Sequence, residues 1–138
     1  YQLKRDFPGL EIILNGGVDS LQEIDAHLLH VDGVMLGREA YHNPWLMAGF
    51  DARYYGDQAA PKTRQQALAA MLPYIQAELA RHGASGLKLN SITRHMLGLT
   101  MGLPGARRFR QMLSDPKKLA RADATLLLEA AASMQKAA

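Results

Sequence analysis

The chain has 138 residues, of which 48% are hydrophobic and 21% are charged, a composition that suits one compact domain or two small ones. The formal net charge of +3 indicates no particular partner, and the absence of cysteine excludes a disulfide framework or a thiol nucleophile within these residues. No apolar run reaches the ~20 residues of a membrane span and no signal peptide opens the chain, so we expect a cytoplasmic protein. Because the chain begins at Tyr1, in what looks like the middle of a helix, we also expect it to be a fragment.

The first fifty residues alternate strand and helix patterns. Leu10–Leu14 is an apolar strand, the capping box that starts at Ser20 opens a helix, and Val31–Leu36 is a second strand that ends in Gly37 and Arg38. This spacing is typical of parallel β/α units, in which strands covered by helices are apolar on both faces. We predict that residues 11–14 and 34–36 pair in parallel.

Helical patterns follow a linker at residues 56–62. A capping box at Thr63 starts the first helix, Pro73 bends it and Gly83 stops it. Three further helices are predicted, over Leu87–Leu99, Ala106–Leu113 and Thr125–Lys136. The predicted organisation is therefore an α/β domain over residues 1–55 and an all-α bundle over residues 63–138.

Both predicted strands end in glycine, at Asn15-Gly16-Gly17 and at Gly37-Arg38. A tight turn explains one such site, whereas a bound phosphate explains two, because bare backbone lets peptide N–H groups approach an anion beside a helix N-terminus. Since two β/α units leave open sheet edges, we expect them to be the end of a larger sheet. The last two units of a (β/α)8 barrel often hold a phosphate in this way.

Basic residues concentrate between Gly86 and Arg121, a stretch that contains eight Lys and Arg and a single Asp. Its net charge is therefore +7, and that of the rest of the chain is −4. Arg107 and Arg110 share a helix face opposite Phe109. Such a face either contacts a nucleic-acid backbone or is merely solvated. The five histidines show no metal-ligand spacing, so no metal is expected.

Four motifs in this order resemble the C-terminal part of the bacterial tRNA-dihydrouridine synthases, closest to the A type. They are I-L-N-G-G-V at 13–18, D-G-V-M-L-G-R-E-A-Y-H-N-P at 32–44, S-I-T-R-H-M-L-G-L at 91–99 and G-L-P-G-A-R-R-F-R at 102–110. The resemblance covers the whole chain, but the chain covers less than half of such an enzyme.

The resemblance implies an FMN-dependent (β/α)8 barrel followed by a helical tRNA-binding domain, acting as a monomer. In that family, reduced flavin gives hydride to C6 of a D-loop uridine, a cysteine protonates C5, and NADPH reduces the flavin again. Matching positions imply that Asn15, Gly16, Gly17, Gly37 and Arg38 contact the FMN phosphate. They also imply that Arg107 and Arg110 contact tRNA, and the basic stretch adds Arg94 and Lys88 as candidates. The catalytic cysteine, and the lysine and histidine at the flavin ring, have no counterpart here, so no catalytic residue is expected in this chain.

Two alternatives remain at this stage. Another phosphate-binding barrel flavoenzyme explains residues 1–50 but not the basic helices. A non-catalytic RNA-binding module explains the helices but not the paired glycine turns. Under the leading interpretation the isolated chain binds FMN poorly, because it lacks the barrel walls around the flavin ring.

Overall fold

The computed structural model describes residues 1–60, 62–120 and 123–135, and the chain divides into two compact units, Tyr1–Met47 and Ala48–Ala138. Three residues named in the sequence predictions lie outside the described part. They are Pro61 in the linker, Arg121 in the basic stretch and Lys136 in the last predicted helix.

The first unit contains a two-stranded sheet with short helices. Its elements are α1 (Gln2–Asp6), β1 (Ile13–Asn15), α2 (Leu21–Leu28), β2 (Gly33–Met35) and α3 (Arg38–His42). The strands pair in parallel, with Leu14 opposite Val34, which confirms the predicted pairing. Both strands are shifted by one or two residues from the predicted bounds, and Asn15 itself belongs to β1.

Helix α2 begins at the predicted cap but with a different bonding pattern. The Ser20 hydroxyl accepts the N–H of Glu23 at 3.4 Å, as in a capping box. The Glu23 carboxylate, however, accepts the N–H of Asp19 at 3.0 Å instead of returning to Ser20. Through Glu23, the helix therefore holds Asp19, two positions after the glycine turn. Ile24 of the same helix is buried.

The second unit contains helices and no strand among its described residues. Its α-helices are α4 (Phe50–Tyr55), α5 (Arg64–Ala70), α6 (Leu72–His82), α7 (Leu89–Thr93), α8 (Ala106–Ser114), α9 (Pro116–Leu119) and α10 (Leu126–Gln135), with 3₁₀ turns at Gly83–Ser85 and Arg94–Thr100. A further 3₁₀ helix, Pro44–Gly49, precedes α4. The core of the unit is formed by fully buried side chains from α5, α6, α8 and α10, namely Leu68, Ile75, Phe109 and Leu127. The boundary between the two compact units follows Met47, so α4 belongs to the second unit. The sequence-based division into residues 1–55 and 63–138 stays a prediction.

Several helix boundaries follow from single residues. The capping box at Thr63 is confirmed, since Thr63 and Gln66 exchange side-chain to backbone bonds of 3.2 and 2.8 Å. Pro73 produces a break at Met71, because a proline fits the first turn of α6 but not a helix interior. The predicted stop at Gly83 is confirmed, since α6 ends at His82 with Gly83 as its C-cap; a 3₁₀ turn follows, and Gly86 adopts the left-handed conformation, with φ of 95°.

The predicted helix over Leu87–Leu99 is wrong in type for half its length. Only Leu89–Thr93 is α-helical, and a 3₁₀ helix continues to Thr100. The predicted helix at Ala106 is confirmed over Ala106–Ser114. No helix in the described part of the chain is long and apolar enough to cross a membrane.

Candidate functional site

The two glycine turns of the first unit lie at the carboxyl ends of β1 and β2 and line one cleft of about 570 Å³. All five residues predicted to hold a phosphate are in its lining, namely Asn15, Gly16, Gly17, Gly37 and Arg38. The parallel pairing explains this arrangement, because parallel strands deliver the turns that follow them to the same edge of the sheet. The structure thus brings together residues more than twenty positions apart in sequence.

Glycine is required in the first turn by backbone conformation. Gly16 and Gly17 have φ of 151° and 68°, values that residues with a side chain rarely adopt. A Cβ at either position would meet no described atom within 4 Å, so crowding is not the reason. The turn is anchored on both sides, by Asn15 in β1 and by the buried Val18 before α2. The turn therefore depends on glycine for its backbone conformation and lines the cleft without side chains of its own at positions 16 and 17.

Other side chains of this cleft were not predicted from the sequence. They are Val18, Asp19, Met35, Glu39 and His42. Glu39 directly follows the predicted contact Arg38, and Asp19 stands two positions after Gly17; this closeness in sequence is the signal that could have found them. Two carboxylates and one guanidinium, that of Arg38, line the cleft. A carboxylate repels a phosphate but accepts hydrogen bonds from hydroxyls, so the cleft suits a ligand that carries both an anionic end and hydroxyl groups.

An ion pair between Lys4 of α1 and Asp32 lies near the opposite ends of the two strands. Asp32 accepts a 2.8 Å bond from the Lys4 ammonium and a 2.8 Å bond from the Ile12 N–H. The Lys4 ammonium also donates to the carbonyls of Pro8 and Leu10. The lysine hydrogen bond, with help from the backbone bond, holds the pKa of Asp32 below its ordinary value. These contacts fix the strand register that positions the glycine turns.

The predicted RNA-contacting residues of the second unit are all exposed. Arg107 and Arg110 project from α8, whose Phe109 and Leu113 are buried, as expected from the helix pattern. Arg94 donates to the His95 ring at 3.1 Å, and Lys88 stands before α7. Arg107 lines a cleft of about 660 Å³ between α8 and α9.

Two cations other than the four named RNA candidates share this cleft with Arg107, namely Arg108 and Lys118. Gly105, Gln111, Met112 and Asp115 complete its lining. Both cations belong to the basic stretch, but nothing local in the sequence shows that α9 returns Lys118 to the side of α8. No group of three metal-ligating side chains occurs among the residues that the structure describes.

The chain belongs to the dihydrouridine synthase family. The family model described as "Dihydrouridine synthase (Dus)" matches residues 1–136, which confirms the resemblance carried by the four motifs. Among curated relatives, the tRNA-dihydrouridine(20/20a) synthase of Pseudomonas aeruginosa is 54% identical over 113 residues, 82% of this chain and 33% of the relative. The enzymes of the same name from Salmonella typhi and Escherichia coli K12 are 48% and 49% identical, over 94% and 92% of this chain and 38% and 36% of their own lengths. The chain thus spans about a third of the length of the curated relatives it matches.

Proposed function

We propose that this chain is the phosphate-binding and tRNA-binding part of an FMN-dependent tRNA-dihydrouridine synthase. The whole protein would reduce the C5–C6 bond of D-loop uridines with NADPH as reductant, at positions 20 and 20a if it follows the named activity of its relatives. Residues 1–55 would close a (β/α)8 barrel, residues 56–62 would be a linker, and residues 63–138 would bind tRNA. Family membership and the two glycine turns in one cleft support this assignment.

The observation that carries the proposal is the convergence of both turns on one cleft. The N–H groups of Gly16, Gly17 and Gly37 and the Arg38 guanidinium supply donors for the phosphate, while Asp19 and Glu39 accept from the hydroxyls of the ribityl chain. When bound, FMN supplies the hydride for the uracil ring. Gly16 and Gly17 both line this cleft, and no described atom lies within 4 Å of the position that a Cβ would take at either residue.

The proton-transfer step is assigned outside this chain. The family's proton donor to C5 is a cysteine, and these 138 residues contain none. The roles that remain for this chain are to anchor the flavin by its phosphate and to hold the RNA substrate. Neither competing function covers both roles: another flavoenzyme leaves the basic helices unexplained, and an RNA-binding module leaves the phosphate cleft unexplained.

The phosphate role is tested by titrating the chain with FMN and with riboflavin, which differ only by the phosphate. We expect weak binding of FMN, with a dissociation constant above the submicromolar range. This binding should still be tighter than that of riboflavin. Arg38→Ala should remove most of the difference, whereas Arg5→Ala, which deletes an exposed charge from α1 of the same unit, should not. Equal affinities for the two ligands would refute the phosphate assignment, and submicromolar FMN binding would refute our account of the missing barrel walls.

The RNA role is tested with an unmodified tRNA transcript. Arg107→Ala with Arg110→Ala should weaken binding and lower its salt dependence by roughly one unit of slope per lost phosphate contact. A thermal melt should change little, because both side chains are exposed. In the whole enzyme, flavin content and NADPH oxidation should stay near wild type. Normal tRNA binding by the double variant would mean that this face of α8 is a solvated surface and does not contact tRNA.

A further inference from the structure

The basic side chains of the second unit differ in whether the fold already uses them. Arg64 is half-buried and donates to the Leu99 carbonyl at 2.9 Å, and Arg94 is bonded to His95. By contrast, the structure shows no ion pair or side-chain hydrogen bond for Arg107, Arg108 or Lys118 with any residue it describes. These three cations are therefore available to a ligand, and all three line the cleft between α8 and α9.

The geometry of two consecutive helices produces this convergence. Asp115 ends α8 and also caps α9, because its carboxylate accepts the Lys117 N–H at 2.9 Å. The chain therefore turns without an intervening loop, and Lys118 comes to lie beside α8. Helical residues advance by about 100° each, so Arg107 lies between Arg110 on one side and the cleft residues Gln111 and Arg108 on the other. The cations thus form a strip that runs from Arg110 into the cleft.

The chemistry of the cleft selects an anionic, hydroxyl-bearing ligand. Three cations face one carboxylate, that of Asp115, which is already engaged as a cap. The Gln111 amide both donates and accepts hydrogen bonds, so it can bind a phosphate oxygen or a sugar hydroxyl. A volume of about 660 Å³ accommodates more than a single inorganic ion.

We propose that this cleft binds a phosphodiester of the RNA substrate together with its adjoining ribose, with Arg108 and Lys118 as the contacting cations. This inference rests on the proposed function and adds a second phosphate position to the one assigned to Arg107 and Arg110. RNA is favoured over a free nucleotide because the cationic strip continues out of the cleft along α8, following a polyanion and not a single charge.

The test compares two double variants that each lose one arginine and one lysine. Arg108→Gln with Lys118→Gln removes the cleft cations, and Arg81→Gln with Lys117→Gln removes exposed cations outside it. Affinity of the 138-residue chain for a tRNA transcript is measured at several salt concentrations. We expect the cleft variant to bind about tenfold more weakly, with a salt slope lower by about one, and the control to change by less than about twofold.

Each other outcome overturns the inference. Equal losses in both variants would mean diffuse attraction, and unchanged tRNA affinity in the cleft variant would remove Arg108 and Lys118 from the interface. Micromolar binding of adenosine monophosphate, lost in the cleft variant while tRNA affinity holds, would assign the cleft to free nucleotides. If only the Arg107 and Arg110 variant loses affinity, the proposed function stands and the cleft has no part in it. Failure of the unmodified chain to bind tRNA would refute both the RNA-binding role in the proposed function and the inference about the cleft. Should the double variant not fold by circular dichroism, Lys118→Gln against Lys117→Gln makes the same comparison.

Discussion

The entry to the basic helix α8 depends on a glycine, and we predict that Gly105→Ala destabilises the protein strongly. Gly105 is the N-cap of α8 and has φ of 78°, in the left-handed region. A Cβ at this position would lie 2.8 Å from the Cα of Met134 and 3.1 Å from its carbonyl oxygen. These are backbone atoms of α10, the helix against which α8 packs, so no side-chain rotation relieves the contact.

The magnitude has two parts, which a second glycine separates. A left-handed conformation costs a residue with a side chain about 1–2 kcal/mol, and displacing packed backbone adds about 1–3 kcal/mol. The total of about 2–5 kcal/mol is a large share of the ~5–15 kcal/mol that stabilises a typical domain. Gly102 has nearly the same φ, 76°, but a Cβ there meets no described atom within 4 Å. Gly102→Ala should therefore cost only the conformational part.

The measurement is urea unfolding followed by far-ultraviolet circular dichroism, with both variants and the unmodified chain compared at one temperature. We expect Gly105→Ala to lose about 1–3 kcal/mol more unfolding free energy than Gly102→Ala. Equal losses would refute the close packing of α8 on α10 at this point. A negligible loss in both variants would show that neither glycine needs its left-handed conformation.

Three further substitutions test single contacts. Thr63→Ala removes the hydroxyl that accepts the Gln66 N–H in the capping box of α5, and it should lower the unfolding free energy by about 1 kcal/mol in urea unfolding. An unchanged unfolding free energy would mean that this cap does not stabilise the protein. Thr93→Val replaces a fully buried hydroxyl that has no hydrogen-bond partner among the described residues, so thermal stability should hold or rise, and a fall would reveal an unseen partner. The lowered pKa of Asp32 means that its pairing with Lys4 stabilises the fold above the ordinary aspartate pKa and is lost as pH falls through the lowered value. Asp32→Asn should therefore flatten the drop in melting temperature between pH 6 and pH 3, and an identical drop in both proteins would contradict this linkage.

The convergence of the two glycine turns on one cleft was predictable because its determinants are local. A short apolar run followed by Asn15-Gly16-Gly17 indicates a strand and a turn without further context, and a second such run ends in Gly37. The rule that parallel strands deliver their turns to one edge then brings the two together. The two carboxylates were not predicted, because a phosphate is bound by cations and peptide N–H groups and is repelled by carboxylates. Glu39 follows Arg38 directly and Asp19 stands two positions after Gly17, and both line the cleft.

The second cleft was not predictable to the same extent. Asp115-Pro116 indicates the end of α8, which is correct, but the sequence does not show that a one-turn helix begins at once and returns Lys118 to the same side. The 3₁₀ helix from Arg94 was missed for a related reason. Apolar residues three apart fit an α-helix and a 3₁₀ helix equally well, so periodicity does not distinguish them over a single turn or two.

Under the proposals made above, the two clefts would bind the same chemical group, a phosphate, by different physical means. In the first, the backbone of Gly16 and Gly17 would supply the donors, and the nearby carboxylates would penalise any anion that does not also present hydroxyls. In the second, Arg108 and Lys118 are exposed cations that have no ion pair with any described residue, and their attraction for an anion would extend about a Debye length and depend strongly on salt. Fixed donors with opposing charges favour one small ligand held in one orientation. Cations on exposed side chains would favour fast, reversible capture of a large polyanion, as the proposed RNA-binding role requires.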